Sequence, residues 1–286
     1  MVGFDEKIQR LVQIGDADHG VEIFHGSILL SRRDIEELAE MVQRARQAVI
    51  FTGAGISTEC GIPDFRSPGG FWTRYKPIPF DAFLASEETR AEAWRRFFAI
   101  RENLADATPG RGHRAVAALM RLGHVSHVIT QNIDGLHERA GAPAARNIEI
   151  HGSGAYARCL ACGQRHELDW ARDRLETSGR PPRCSGCDGI VKPATVSFGQ
   201  PMPDQAMADA RAATLNADLF LAVGSSLKVF PAAGFPVMAK QNRTPLVIIN
   251  REATGLDGLA DMVINAEIGG VLSTLAAIAA RARPNH

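Results

Sequence analysis

Two cysteine pairs, Cys159-x-x-Cys162 and Cys184-x-x-Cys187, are the residues of this chain whose type and spacing define a chemistry most narrowly. Each pair can present two thiolates from one turn, and two such turns facing each other make a tetrahedral zinc site. Four cysteines close the coordination sphere and leave no position for water or substrate. The spacing therefore predicts a structural Zn2+ rather than a Lewis acid. Redox pairs and unligated thiols are the alternative readings. Cys60 stands alone. Close cysteine pairs suit a reducing compartment better than a disulfide framework does, which points to the cytoplasm.

The stretch Gly53-Ala54-Gly55-Ile56-Ser57 carries a second possible chemistry. Glycine lets a backbone turn sharply and lets a phosphate approach main-chain N–H groups with no Cβ in the way. At the start of a helix those N–H groups and the helix dipole favour an anion. A nucleotide phosphate cradle and a tight, ligand-free turn both fit these residues.

Three further sets of residues follow apolar runs. His151 stands after Asn147–Ile150, where a neutral imidazole can accept a proton near pH 7 or serve as a structural histidine. Asn132 and Asp134 follow Val125–Thr130 and can cap the next helix or bind a polar ligand. Phe65 and Arg66, beyond Pro63 and Asp64, fit a lid, or a core ring beside a solvated guanidinium.

Positioning these groups calls for alternating strands and helices. Ser31 opens a helix whose apolar face is Ile35, Leu38, Ala39, Val42 and Ala45. Strands are expected at Ala48–Phe51, Val125–Ile129, Asn147–Ile150, Thr195–Phe198, Leu219–Val223, Leu246–Ile249 and Met262–Ile264. Helices are expected near Asp5–Ile14, Glu87–Asn103, Gly112–Leu122, Pro203–Asn216, Pro231–Gln241 and Gly270–Arg283. The pattern predicts an α/β fold with a doubly wound, mostly parallel sheet, whose ligands bind at the C-terminal strand ends. The fingerprint of dinucleotide-dependent dehydrogenases is absent. The next glycine is Gly61, and an aromatic and helical insert delays the second strand.

Residues 1–30 form an N-terminal extension in this reading. Residues 31–66, 112–154 and 194–286 make the main domain. A helical insert at 67–111 and a zinc-binding insert at 155–193 make a smaller one. Zero formal net charge, 45% hydrophobic and 22% charged residues give no global pull toward nucleic acid. No apolar run reaches bilayer length, and the N-terminus lacks the apolar core of a secretion signal. Neither a nucleic-acid nor a membrane partner is expected.

Together, Gly53–Ser57, Gly61-Ile62-Pro63-Asp64-Phe65-Arg66-Ser67, Thr130-Gln131-Asn132-Ile133-Asp134, His151-Gly152, the two cysteine pairs, Phe198-Gly199, Gly224-Ser225-Ser226 and Asn250-Arg251-Glu252 resemble the sirtuins. These are the NAD-dependent protein lysine deacylases, and the resemblance covers roughly residues 31–283. It implies a large Rossmann-like domain and a small zinc-plus-helical domain, with NAD and acyl-lysine in the cleft between them.

By this resemblance Gly53, Ala54, Gly55 and Ser57 take the NAD phosphates, and Asp64, Phe65 and Arg66 cover the cofactor. Gln131, Asn132, Ile133 and Asp134 form the nicotinamide and ribose pocket. Gly224, Ser225, Ser226, Asn250, Arg251 and Ile268 line the adenosine side. Phe198, Gly199 and Val229 clamp an acyl-lysine protein or peptide as a strand. The implied reaction releases nicotinamide and moves the acyl group to ADP-ribose, giving 2′-O-acyl-ADP-ribose. His151 is its general base, assisted by Asn132 and Asp134. Mono-ADP-ribosyl transfer or NAD hydrolysis from the same cleft is the rival enzymatic reading. A zinc-ribbon binding module with a degenerate NAD pocket is the non-enzymatic one.

Three departures from the family pattern stand out. Members preferring succinyl-like groups carry Tyr-x-x-Arg in the helical insert, where this chain has Phe98-Ala-Ile-Arg101, so both residues are candidate acyl contacts. Gln200 replaces a common acid. Residues 1–30 have no clear counterpart.

Overall fold

The computed structural model describes residues 32–281 apart from residues 66 and 105, with backbone alone at residues 32, 74, 103 and 104. The expected Asp5–Ile14 helix, the Ser31 cap, Arg66 and the end of the terminal helix lie outside the described residues.

The chain runs α1 (Arg32–Arg44), β1 (Ala48–Thr52), a 3-10 helix (Ala54–Cys60), α2 (Phe71–Arg74), α3 (Phe80–Ala85), α4 (Glu87–Leu104), α5 (Arg111–Arg121), β2 (Val125–Thr130), α6 (Leu136–Arg139) and β3 (Asn147–Glu149). It continues with β4 (Gly152–Cys159), β5 (Arg165–His166), α7 (Leu168–Ser178), β6 (Val191–Thr195), α8 (Asp204–Asn216), β7 (Leu219–Val223), α9 (Gly234–Gln241), β8 (Leu246–Ile249), β9 (Met262–Ile264) and α10 (Ile268–Arg281).

Six strands form one sheet in the order β3-β2-β1-β7-β8-β9, and every pair is parallel. Strands covered on both faces need continuous apolar runs, and β1, β7 and β8 are buried at every position. Alternate residues serve opposite faces. Ile50, Leu221 and Val247 pack with Leu38 of α1, Leu119 of α5 and Leu272 of α10. Phe51, Phe220 and Ile248 pack with Ala213 of α8 and Phe235 of α9. This is the doubly wound sheet expected from the sequence.

A second, antiparallel sheet has the order β5-β4-β6. It corrects the expected extended segment Thr195–Phe198. The strand is Val191–Thr195, and it pairs with β4 outside the main sheet. Pro193 opposes Ala157 on an edge strand, where the missing N–H costs no ladder bond. Trp94 and Phe98 of α4 share a core with Leu168 and Leu175 of α7 and Val191 of β6. Trp94 Nε1 donates to Val191 O at 3.3 Å. Among the described residues no helix is long and apolar enough to cross a membrane.

Candidate active site

A cleft of about 900 Å³ opens at the C-terminal ends of β1, β2, β7 and β8 and extends to β6 and α4. That volume is within the range of ligand pockets. Its first wall is the glycine turn. β1 and β7 are neighbours, so their end loops must cross at close range. Gly53 N donates to Val223 O at 3.1 Å, and Gly55 N donates to Gly224 O at 2.8 Å. A Cβ on Gly53 would lie 2.7 Å from Gly224 O, and one on Gly55 would lie 2.8 Å from Gly224 Cα. The glycines are thus required first by the packing of two backbones. Gly53, Gly55 and Gly224 also lie on the cleft wall.

Behind the turn, four polar residues interlock. Ser57 Oγ donates to Asp134 Oδ2 at 2.7 Å and accepts from Asn132 Nδ2 at 3.1 Å. Asn132 Nδ2 also reaches Gly53 O at 3.1 Å. The other Asp134 oxygen accepts the Leu136 N–H at 2.9 Å, so Asp134 caps α6 and faces the cleft together. His113 closes the set. Its Nδ1 accepts the Gly110 N–H at 3.3 Å, which puts the proton on Nε2, 3.4 Å from Ser57 Oγ. Burial, opposed by the Asp134 charge, holds His113 down to about 4.

His151 lies at the end of the loop after β3. Its Nδ1 is 2.9 Å from Gln131 O. That nitrogen therefore carries the proton, and Nε2 is left as the acceptor. Burial lowers the His151 pKa below the ordinary imidazole value, partly opposed by the bond to Gln131. The residue is a neutral base at pH 7. Gln131 braces the strand ends, donating from Nε2 to Ser225 Oγ at 2.8 Å and to Thr52 O at 3.2 Å.

The cleft gathers most of the residues singled out in the sequence. Gly53, Ala54, Gly55, Ser57, Asp64, Phe65, Gln131, Asn132, Ile133, Asp134 and His151 line it. So do Gly224, Ser225, Ser226, Asn250, Arg251, Ile268, Phe198, Gly199, Val229 and Arg101. Asp64 is tied up locally, accepting the Ser67 N–H at 2.8 Å and its hydroxyl at 2.5 Å. Phe98 is the exception. It is 5% exposed and stacks on Trp94 at 5.3 Å, and the neighbouring Phe97 takes the place on the wall. Gln200 accepts the Ser197 N–H at 3.1 Å, a bond that closes the turn carrying Phe198 and Gly199.

His113 and Lys192 were missed in the sequence. The sequence placed His113 in the expected Gly112–Leu122 helix, but nothing local placed it beside Ser57.

The four cysteines converge, with all four Sγ atoms within 4.8 Å of one another. Cys159 and Cys187 are 3.5 Å apart, and Cys162 and Cys184 are 3.7 Å apart. Tetrahedral zinc requires sulfurs about 3.8 Å apart. Burial pushes the Cys159 thiol up, but the Cys162 and Ala161 N–H groups and the neighbouring thiols outweigh it and bring it to about 6. The Gly189 N–H lowers Cys187, but the other thiols push it up to about 12. Four thiolates this close need a cation to ionise together, and the donor set fits Zn2+.

A family model, the Sir2 family, matches residues 53–231. The "NAD-dependent protein deacetylase 1" of Bradyrhizobium diazoefficiens is 57% identical over 241 residues, 84% of this chain and 94% of that protein. The "NAD-dependent protein deacetylase" of Rhodopseudomonas palustris is 55% identical, over 83% and 94% of the two chains. A solved structure described under the mechanism and regulation of Sir2 enzymes superposes with a TM-score of 0.75 at 36% identity, covering 88% of this chain and 99% of that one. A Sir2–p53 peptide–NAD+ structure superposes with a TM-score of 0.75 at 32% identity, over 83% and 95% of the chains.

Proposed function

The chain belongs to the Sir2 family, and we propose that it removes acyl groups from lysine side chains of proteins or peptides in a reaction that consumes NAD, with His151 as the general base. This NAD-dependent deacylase reading rests on relatives named NAD-dependent protein deacetylases and, within the structure, on one observation above others. His151 is a half-buried, neutral imidazole on the wall of a large cleft, and its proton is fixed on the nitrogen that faces Gln131 O.

The cleft suits NAD. Gly53, Ala54, Gly55 and Gly224 lie on the cleft wall, where main-chain groups can meet a pyrophosphate at close range. Bound there, NAD supplies the ADP-ribosyl group that accepts the acyl chain, with nicotinamide leaving. The protein's part is orientation, water exclusion and one proton transfer. Ser57 holds Asn132 and Asp134 at fixed spacing, so their free polar atoms can orient a ribose and an amide. His151 Nε2 takes a proton from a ribose hydroxyl. Phe65 closes over the cofactor, and exposed Phe198, with Gly199 and Val229, receives the peptide backbone.

The thiolates of Cys159, Cys162, Cys184 and Cys187 hold a structural zinc in this reading. The segments 67–111 and 155–193 act as one small domain against the NAD-binding part. Thiols that must stay reduced support action in the cytoplasm. The test is mass spectrometry after incubation with NAD and peptides carrying acetyl, longer aliphatic, succinyl or lipoyl lysine. Deacylation yields O-acyl-ADP-ribose. ADP-ribosylated protein or free ADP-ribose without an acylated product contradicts the reading.

A further inference from the structure

One buried cation has no part in this chemistry. Lys192 on β6 is 3% exposed, and desolvation alone lowers its pKa, to about 8. Among the described residues no carboxylate pairs with it. Its Nζ instead donates to two carbonyls, Thr195 O at 2.5 Å and Pro193 O at 3.4 Å, and lies 5.9 Å from the Phe83 ring centroid. A buried ammonium without a counter-ion is costly, and hydrogen bonds from a charged donor are about twice as strong as neutral ones.

The location of those bonds gives them meaning. Thr195 O and the Val196 N–H belong to one peptide group. The N–H donates to His151 O at 2.9 Å, so this peptide plane is gripped at one edge by Lys192 and at the other by the main chain of His151. Gly152 pairs with Thr195 across the sheet. Its φ is +73°, and a Cβ there would lie 2.0 Å from Ala194 O. The His151–Gly152 backbone therefore rests directly on this segment. Ser197, Phe198 and Gly199 follow Val196 without a break.

We propose that Lys192 is a positioning residue, whose ammonium fixes the Thr195–Val196 peptide plane and thereby sets both the His151 main chain and the Phe198–Gly199 segment that receives the substrate. The kinetic half of this inference rests on the deacylase reading, whereas the clamp itself does not. Lys192→Met keeps an unbranched side chain one atom shorter and removes the donor, and Lys192→Arg keeps a charged donor.

Two measurements on the full chain decide it. The first is amide hydrogen exchange. In Lys192→Met the Val196 amide is expected to exchange about 10–100-fold faster, the equivalent of one charge-assisted bond, while Phe220 in β7 is unchanged. Lys192→Arg restores Val196 protection. The second is steady-state kinetics with NAD and acetyl-lysine peptide. Lys192→Met is expected to raise the peptide KM and lower kcat, with the Kd for NAD within about twofold, and Lys192→Arg is expected to recover most of the loss. Unchanged Val196 exchange in Lys192→Met overturns the clamp. Failure of Lys192→Arg to restore protection, or uniformly faster exchange, reduces Lys192 to general packing and also overturns it. A wild-type chain that turns over no acyl-peptide sinks the deacylase reading, and the exchange result still decides the clamp.

Discussion

Replacing Gly224 by alanine should harm this protein through two separable effects, and a neighbouring glycine isolates one of them. Gly224 has φ +62°, a conformation that costs an L-residue roughly 1–2 kcal/mol. Its Cβ would also stand 2.5 Å from Ile56 N and 2.9 Å from both Gly55 C and Ile268 Cδ1. Two of those three atoms are backbone and have no rotamer to escape into. Crowding of this kind costs about 1–3 kcal/mol, so the total is about 2–5 kcal/mol. Gly61 shares the positive φ, at +79°, but has open space around its Cβ position. Gly61→Ala should lose only the first component. At about 2–4 °C per kcal/mol for a chain of this size, Gly224→Ala should fall roughly 4–20 °C in Tm and Gly61→Ala roughly 2–8 °C. Gly53→Ala adds a third arm. Its φ of −130° carries no strain, but its Cβ would lie 2.7 Å from Gly224 O. Denaturant titration of the three variants, with NAD titration alongside, reads both consequences. Gly224→Ala and Gly53→Ala should weaken NAD binding, and Gly61→Ala, off the cleft wall, should not. Equal losses at Gly224 and Gly61 would refute the crossing of the two loops as the reason for the glycines.

Ser57→Ala removes the donor to Asp134 and one partner of Asn132. Losing a hydrogen bond to a charged group costs about 1.5–3 kcal/mol, so Tm should fall roughly 3–12 °C, and kcat/KM for NAD should drop by up to about 150-fold as Asn132 and Asp134 lose their spacing. A drop below threefold contradicts the network. Stripping metal with a strong chelator should unfold the β4–β6 module, because four clustered thiolates lose their cation. Near-ultraviolet circular dichroism of Trp94 and Trp170 reports it, and an unchanged spectrum after verified zinc loss counts against a structural metal. His113 and His137 are held neutral by burial, down to about 4 and about 3. Their folded values lie below the unfolded one, about 6.5, so the unfolded chain binds more protons and stability falls as pH drops from about 6.5 toward 3. A urea midpoint that stays flat from pH 6.5 to 4 contradicts this.

The main sheet was legible in the sequence because β7 and β8 are apolar at every position and β1 at all but Thr52, so they need no partner to be recognised. The cysteine site was legible because metal geometry dictates spacing. The small sheet was not. Gly152–Cys159 reads Gly-Ser-Gly-Ala-Tyr-Ala-Arg-Cys, with few apolar residues, and it becomes a strand only by pairing with Val191–Thr195 far along the chain. His113 was missed for a similar reason, since its value lies in a contact with Ser57 across the fold. Phe98 shows the limit of spacing within a helix. Phe98 and Arg101 were singled out by their likeness to a family Tyr-x-x-Arg motif, but the Trp94 stack turns Phe98 into the core and leaves Arg101 on the wall. The glycine turn was found for an incomplete reason, because chain crossing demands those glycines before any phosphate does.

The central claim is that His151 is the base and the rest of the cleft is scaffold and binding surface. Its most direct test is His151→Ala, measured for NAD binding by calorimetry and for deacylation of an acetyl-lysine peptide under single-turnover conditions. Removing a general base should lower the rate of acyl transfer about 100- to 10,000-fold, with Tm and the Kd for NAD close to wild type. Acyl transfer within tenfold of wild type would contradict the account.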